Sequence, residues 1–166
     1  MNPTTNLAEM FDAHVMHEFV DHDVEATMGT MTPEPYLLHV PMLTGGDGAA
    51  AVRRFYEQFF VGKWPEDTKV TRVSRTVGTD QVVDELILSF THDVRLDFML
   101  PGIAPTGRHV EMPTVVVMKF EQGKIAHEHI YWDQGSLLAQ VGLLDRGQLP
   151  VIGAEQTAAL RSKMKE

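Results

Sequence analysis

Cysteine is absent from the 166 residues, which removes a catalytic thiol, a thiolate metal site and any disulfide together. Basic residues are scarce: 14 Lys and Arg stand against 23 Asp and Glu, a formal net charge of -9. They are scattered, with one short run at Arg161, Lys163 and Lys165. The clustered cations that a phosphate backbone requires are missing, so nucleic acid is not an expected partner. No apolar stretch approaches the roughly 20 residues needed to cross a bilayer. The N-terminus is polar and acidic rather than a charged-then-apolar leader. A cytoplasmic protein without a membrane partner is the expectation. Internal repeats and low-complexity segments are also lacking.

What is present is ordinary globular material, 43% hydrophobic and 22% charged. The length suits one domain, which buries roughly 68–70% of the surface its unfolded chain exposes and needs no staple. Leu7 to Thr27 has apolar residues at three- and four-residue steps, which predicts a helix capped by Thr4 or Thr5. A second helix is predicted from about Gly48 to Val61, with Asp47 as its cap. Strands are predicted at Tyr36–Val40, Thr68–Val77, Val82 to about Met99 (long, or two), His109–Phe120 and Lys124–Asp133. A short helix follows over Gln134–Gly142, and the tail from Leu149 is part irregular, part helical over Thr157–Lys165. Helices first and strands after suggest an α+β domain with helices covering one face of a curved sheet.

The most informative segment is His127-Glu128-His129-Ile130-Tyr131-Trp132-Asp133. Alternate side chains of a strand share a face. His127, His129, Tyr131 and Asp133 therefore line one side, and Glu128, Ile130 and Trp132 the other. The polar side either meets water or lines a polar pocket, and Ile130 and Trp132 form the packing side. Asp133 has two readings. It is a working carboxylate whose pKa rises in an apolar pocket, or it is the N-cap of the following helix.

Other groups invite chemistry. Arg95 and Asp97 form an Arg-x-Asp pair on a strand face, orienting a carboxylate or simply carrying solvated charge. His127-x-His129 is a possible start of a metal site, although no metal is expected because nothing at a fitting spacing completes it. His14 on the first helix is placed to look into a pocket between helix and sheet. Soft methionines such as Met112 suit either a pocket wall or a core.

These residues resemble a known family. The helix with Phe11, His14 and Asp21, the run from Gly46 to Tyr56 leading into Phe59-Phe60, Asp84-Glu85 to His92-Asp93, Leu100-Pro101-Gly102 with Pro105-Thr106-Gly107, Phe120 to Lys124, and Tyr131-Trp132-Asp133-Gln134 with Leu137 to Gly142 are similar to the SnoaL-like branch of the nuclear transport factor 2-like superfamily. The resemblance covers about Leu7 to Gly142. It implies a cone-shaped, strongly curved antiparallel sheet wrapped around N-terminal helices, with one deep pocket and a homodimer through the sheet. On that basis residues 1–148 are the cone domain and 149–166 an extension packed on the body or on a partner. The resemblance also implies a small-molecule ligand and no cofactor, on a fold that hosts cyclases, isomerases, epoxide hydrolases and non-catalytic pocket proteins.

By this resemblance Asp133 stands at the cyclases' acid-base position, with His129 and Tyr131 beside it. Arg95, Asp97 and Asp133 stand in the order of the epoxide hydrolases' water-activating trio. The Tyr-x-Asn-x-Pro pattern of those hydrolases is broken here: in Leu37-Leu38-His39-Val40-Pro41 the Tyr is missing and His39 replaces the Asn. The expected site residues are thus Asp133, His129, Asp97, Arg95 and His39 for catalysis, and Tyr131, His14, Tyr36, Tyr56, Trp132 and Met112 for the pocket.

Overall fold

The computed structural model describes residues 6–164. Helix α1 (Leu7–Met16) continues as a π-helical turn (His17–Asp21), followed by α2 (Val24–Gly29). The expected single helix is therefore broken, and the break has a visible cause. His22 adopts a left-handed conformation (φ 52°), and Asp23 caps α2 by accepting from the Ala26 N–H at 2.9 Å. Asn6 caps α1, accepting from the Ala8 N–H at 3.1 Å; Thr4 and Thr5 lie outside the described residues.

Strand β1 (Met31–His39) starts earlier than expected, and the segment after it contains a further short strand, β2 (Thr44–Asp47). Helix α3 (Ala49–Phe55) again ends in a π-helical turn (Tyr56–Phe60); Gly48, not Asp47, precedes it. A Cβ on Gly46 would lie 2.5 Å from the Ala51 and Val52 backbone, so only glycine lets β2 lie this close to α3. Strands β3 (Lys69–Val77), β4 (Gln81–Thr91), β5 (His109–Glu121) and β6 (Lys124–Trp132) follow, then α4 (Gln134–Gln140) and α5 (Glu155–Lys163). The predicted strand to Met99 stops at Thr91, and residues 92–108 form an irregular crossing.

The six strands make one curved, open sheet in the order β2-β1-β6-β5-β4-β3. Every pair is antiparallel except β1–β6, which is parallel, so the sheet is mixed rather than wholly antiparallel. Register sets the inner face in rows. Leu37, Glu128, Met118 and Val82 stand side by side across four strands. His39, Ile130, Val116 and Asp84 form the next row, and Trp132, Thr114 and Leu86 the next. Phe11, Val52, Phe55, Tyr56 and Phe60 pack onto these rows as the core. Helix α5 is tied to β5, where Glu111 accepts from Thr157 Oγ1 and the Arg161 guanidinium, each at 3.1 Å.

Candidate functional site

Only one face of the sheet is covered by α1, α2 and α3, so the packing face and the pocket face are the same face. An apolar cavity of about 70 Å³ lies between sheet and helices. Phe19, Phe60, Trp64, Phe98 and Trp132 supply aromatic walls, and Met112 is among the other lining residues. The polar residues that line it are Glu18, Glu128, His39 and Thr114.

Behind the two glutamates sits a buried cluster. His14 is fully buried, and its Nε2 lies 3.1 Å from Glu128 Oε1, 3.3 Å from Glu18 Oε1 and 3.2 Å from the Tyr56 hydroxyl. The Thr30 hydroxyl donates to the Thr27 carbonyl at 2.6 Å, so its oxygen accepts from His14 Nδ1–H, also at 2.6 Å. This contact fixes the ring with Nε2 toward the carboxyls. Tyr56 donates to Glu128 Oε1 at 3.0 Å. The helix pitch brings His14 and Glu18 together at i, i+4. Glu18 lies in the first π turn and Tyr56 opens the second. Single π turns inserted in α-helices recur at functional sites.

Burial and charge act in opposite directions on these groups. Burial pushes the His14 imidazole down, but the carboxylates of Glu128 and Glu18 outweigh it and lift its pKa to about 10. Glu18 is pushed up by burial, and His14 offsets this only in part. Glu128 feels the same burial, yet the His14 charge and the bonds from His14 and Tyr56 hold it below the usual glutamate range. Tyr56 is driven well above its usual value by burial beside those carboxylates. His39 stands apart among aromatic rings, 5.1 Å from Phe55 and Phe98 and 5.7 Å from Phe60 and Trp132. Burial lowers it to about 4, against the weaker pull of Glu128. It is a neutral imidazole at neutral pH.

The expected residues separate into two sets. His39, Trp132 and Met112 line the cavity, and His14 and Tyr56 lie directly behind its glutamates. Asp133 does not face it. Its carboxylate caps α4, accepting from the Ser136 N–H at 3.0 Å and from Gln156 Nε2 at 2.7 Å. Those bonds lower its pKa, led by the Ser136 N–H; the expected rise in an apolar pocket is corrected to a fall. His129 and Tyr131 share the opposite, outward face. His129 Nε2 is 2.9 Å from the Tyr36 hydroxyl, Tyr36 stacks on His127 at 4.5 Å, and Tyr131 is exposed. Arg95 and Asp97 lie in the 92–108 crossing, not on a strand, as an exposed pair at 3.1 Å. The Asp97 carboxylate also accepts from the Gly102 N–H at 3.0 Å. The trio of Arg95, Asp97 and Asp133 is therefore not assembled on the cavity.

Glu18 and Glu128 were not among the expected residues, although both left a trace. Glu18 falls on the helix face of Phe11 and His14, and Glu128 shares its strand face with Ile130 and Trp132. A carboxylate on a face otherwise apolar was the available signal.

A family model described as a SnoaL-like domain matches residues 12–128. The chain belongs to the SnoaL-like family. Its architecture is shared with solved structures of the nuclear transport factor 2-like fold. A protein of ketosteroid isomerase-like fold from Catenulispora acidiphila, solved with trimethylamine, is 15% identical over 82% of this chain and 94% of that one, with a TM-score of 0.63. A protein from Jannaschia sp. CCS1 named for SnoaL-like polyketide cyclases is 16% identical over 87% and 99%, TM-score 0.63. SalBIII, an epoxide hydrolase/cyclase-like enzyme of pyran ring formation in salinomycin, is 17% identical over 76% and 90%, TM-score 0.56. Among curated protein sequences none matches this SnoaL-like chain. Among its described residues, no helix is long and apolar enough to cross a membrane.

Proposed function

We propose that this SnoaL-like protein is a cofactor-free acid-base enzyme, of cyclase or isomerase type, acting on a small apolar carbonyl or polyketide-like compound. One observation carries the reading: two glutamates on the same apolar cavity whose surroundings push their pKa values apart. Such a divergence assigns acid and base. Glu128, held ionised, takes a proton from the carbon next to the substrate carbonyl. Glu18, held protonated, gives its proton to the carbonyl oxygen. His14, in reach of both carboxyls, passes a proton to Glu18 and recovers one from Glu128, which restores the starting state. Tyr56 steadies the Glu128 charge. Positioned proton transfer of this kind contributes roughly 10²- to 10⁴-fold.

The test needs no knowledge of the natural substrate. Exchange of α-protons for deuterium in a panel of small cyclic ketones is followed by proton NMR. Glu128→Gln should abolish catalysed exchange and Glu18→Gln should slow it, with circular dichroism unchanged. Exchange by Glu128→Gln at the wild-type rate sinks the proposal.

The exposed Tyr131, beside the Tyr36, His127 and His129 stack on the outer sheet face, supports a homodimer through that face as the assembly. Light scattering showing a monomer at micromolar concentration would rule this out.

A further inference from the structure

Four buried side-chain polar atoms among the described residues have no hydrogen-bond partner: His39 Nδ1, Trp64 Nε1, Thr114 Oγ1 and His92 Nε2. Three of the four belong to residues that line the same apolar cavity. Buried polar groups are almost always paired, so three exceptions around one cavity need a common explanation. His39 and Thr114 are 2% and 6% exposed and stand in adjacent rows of the inner sheet face. Trp64 reaches the cavity from the segment after the second π turn, its ring 5.5 Å from Phe60 and 5.3 Å from Phe98, which also flank His39.

We infer that His39, Trp64 and Thr114 form the recognition set of this cavity, and that its ligand is an uncharged molecule carrying an oxygen acceptor on an apolar ring or chain. The chemistry of the three groups selects that class. An indole N–H only donates, so Trp64 requires an acceptor. A threonine hydroxyl both donates and accepts, and a neutral imidazole meets either need with its free nitrogen. Among the described residues no Lys or Arg lines the cavity, and an ionised Glu128 does. A carboxylate or phosphate ligand would enter without a counter-charge and beside a like charge. A pure hydrocarbon would fill the space but leave all three groups bare.

This inference rests on the proposed function for the identity of the cavity as the working site, but not for its test. Three probes of similar size are titrated into the full chain: cyclopentanone, methylenecyclopentane and cyclopentanecarboxylate. Binding is read from the indole N–H resonance of Trp64 and from ligand-detected NMR. Leaving a buried polar group unpaired corresponds to roughly tenfold in affinity. The expected result is cyclopentanone bound about tenfold more tightly than methylenecyclopentane, no saturable binding of the carboxylate, and a shift of the Trp64 resonance with the ketone only. Trp64→Phe or Thr114→Val should reduce the preference for the ketone while hydrocarbon binding is kept. Equal affinity for ketone and hydrocarbon, preferred binding of the carboxylate, or no binding of any probe overturns the inference. Glu128→Gln should leave the ketone preference in place while losing proton exchange. The two proposals therefore fail separately.

Discussion

His39 offers the sharpest quantitative test. In the unfolded chain its imidazole titrates near 6.5, and in the folded protein burial holds it at about 4. Between those values the unfolded state binds a proton that the folded state refuses. Stability is therefore present above pH 6.5 and is lost as pH falls toward 4, below which the loss is complete. The difference of 6.5 − 4 = 2.5 units, at 1.36 kcal/mol per unit, makes the full effect about 3 kcal/mol. About 2 kcal/mol of it should be gone by pH 5. His39→Phe keeps an aromatic ring among Phe55, Phe60, Phe98 and Trp132, and His39→Gln keeps polarity without titration. Urea unfolding of all three proteins at pH 7.5 and pH 5 isolates the effect, since His14 and Glu18 remain in each. Glu128, the one charge that pulls on His39, also remains. Both variants should lose about 2 kcal/mol less than wild type over this interval. Equal pH slopes in wild type and both variants would show that His39 is not held neutral by burial, and the site geometry would need revision.

The remaining expectations concern residues around the cavity. Asp133→Asn should leave α-proton exchange and stability within error, because asparagine caps as well as aspartate, whereas Asp133→Ala should cost about 1 kcal/mol in urea unfolding. Arg75 bonds both oxygens of Asp84 (2.6 and 2.7 Å), a residue only 2% exposed, and covers the Phe11 ring at 4.6 Å. Arg75→Met should cost about 3–5 kcal/mol by stranding a buried carboxylate, read as a lowered urea midpoint at pH 7. Gly46→Ala should yield little soluble protein, since its Cβ would collide with rigid backbone of α3 rather than with a movable side chain; expression with wild-type thermal stability would refute that.

The architecture was legible because its signals are local. The 3.6-residue spacing from Leu7, the β-branched run from Thr68 and the valine centre of β5 are each read within one element. The broken first helix was not legible, since the left-handed conformation of His22 falls on a non-glycine residue, where φ > 0 is uncommon. The strand alternation of β6 puts Ile130 and Trp132 on the packing side, as the structure has them, but the cavity lies on that side with Glu128 and not on the side of His127, His129 and Tyr131. A row of His127, His129 and Tyr131 suggests chemistry, yet Leu37, Met118 and Val82 pair across the sheet with Glu128 and turn that face inward. Leu37 lies 91 residues from its partner Glu128 along the chain, so no window of sequence contains both. Arg95 and Asp97 were misplaced for a related reason. The hydrophobic pattern of Leu96 and Phe98 continues past the end of β4, and both are buried, but from an irregular crossing rather than a strand.

The asymmetry between Glu18 and Glu128 follows from burial itself. Three ionisable groups in an apolar interior cannot carry an unbalanced charge without a penalty of several kcal/mol per ion. One imidazolium balances one carboxylate, so with His14 charged the second carboxyl must keep its proton. Tyr56 helps bias the choice, after the charge and bond of His14. Its hydroxyl donates to Glu128 at 3.0 Å, which favours the negative charge there and leaves the proton on Glu18. The proposed division into acid and base follows from this local balance of charge. It requires two carboxyls, one imidazole locked by Thr30, and one phenol, closed off from water by the aromatic walls.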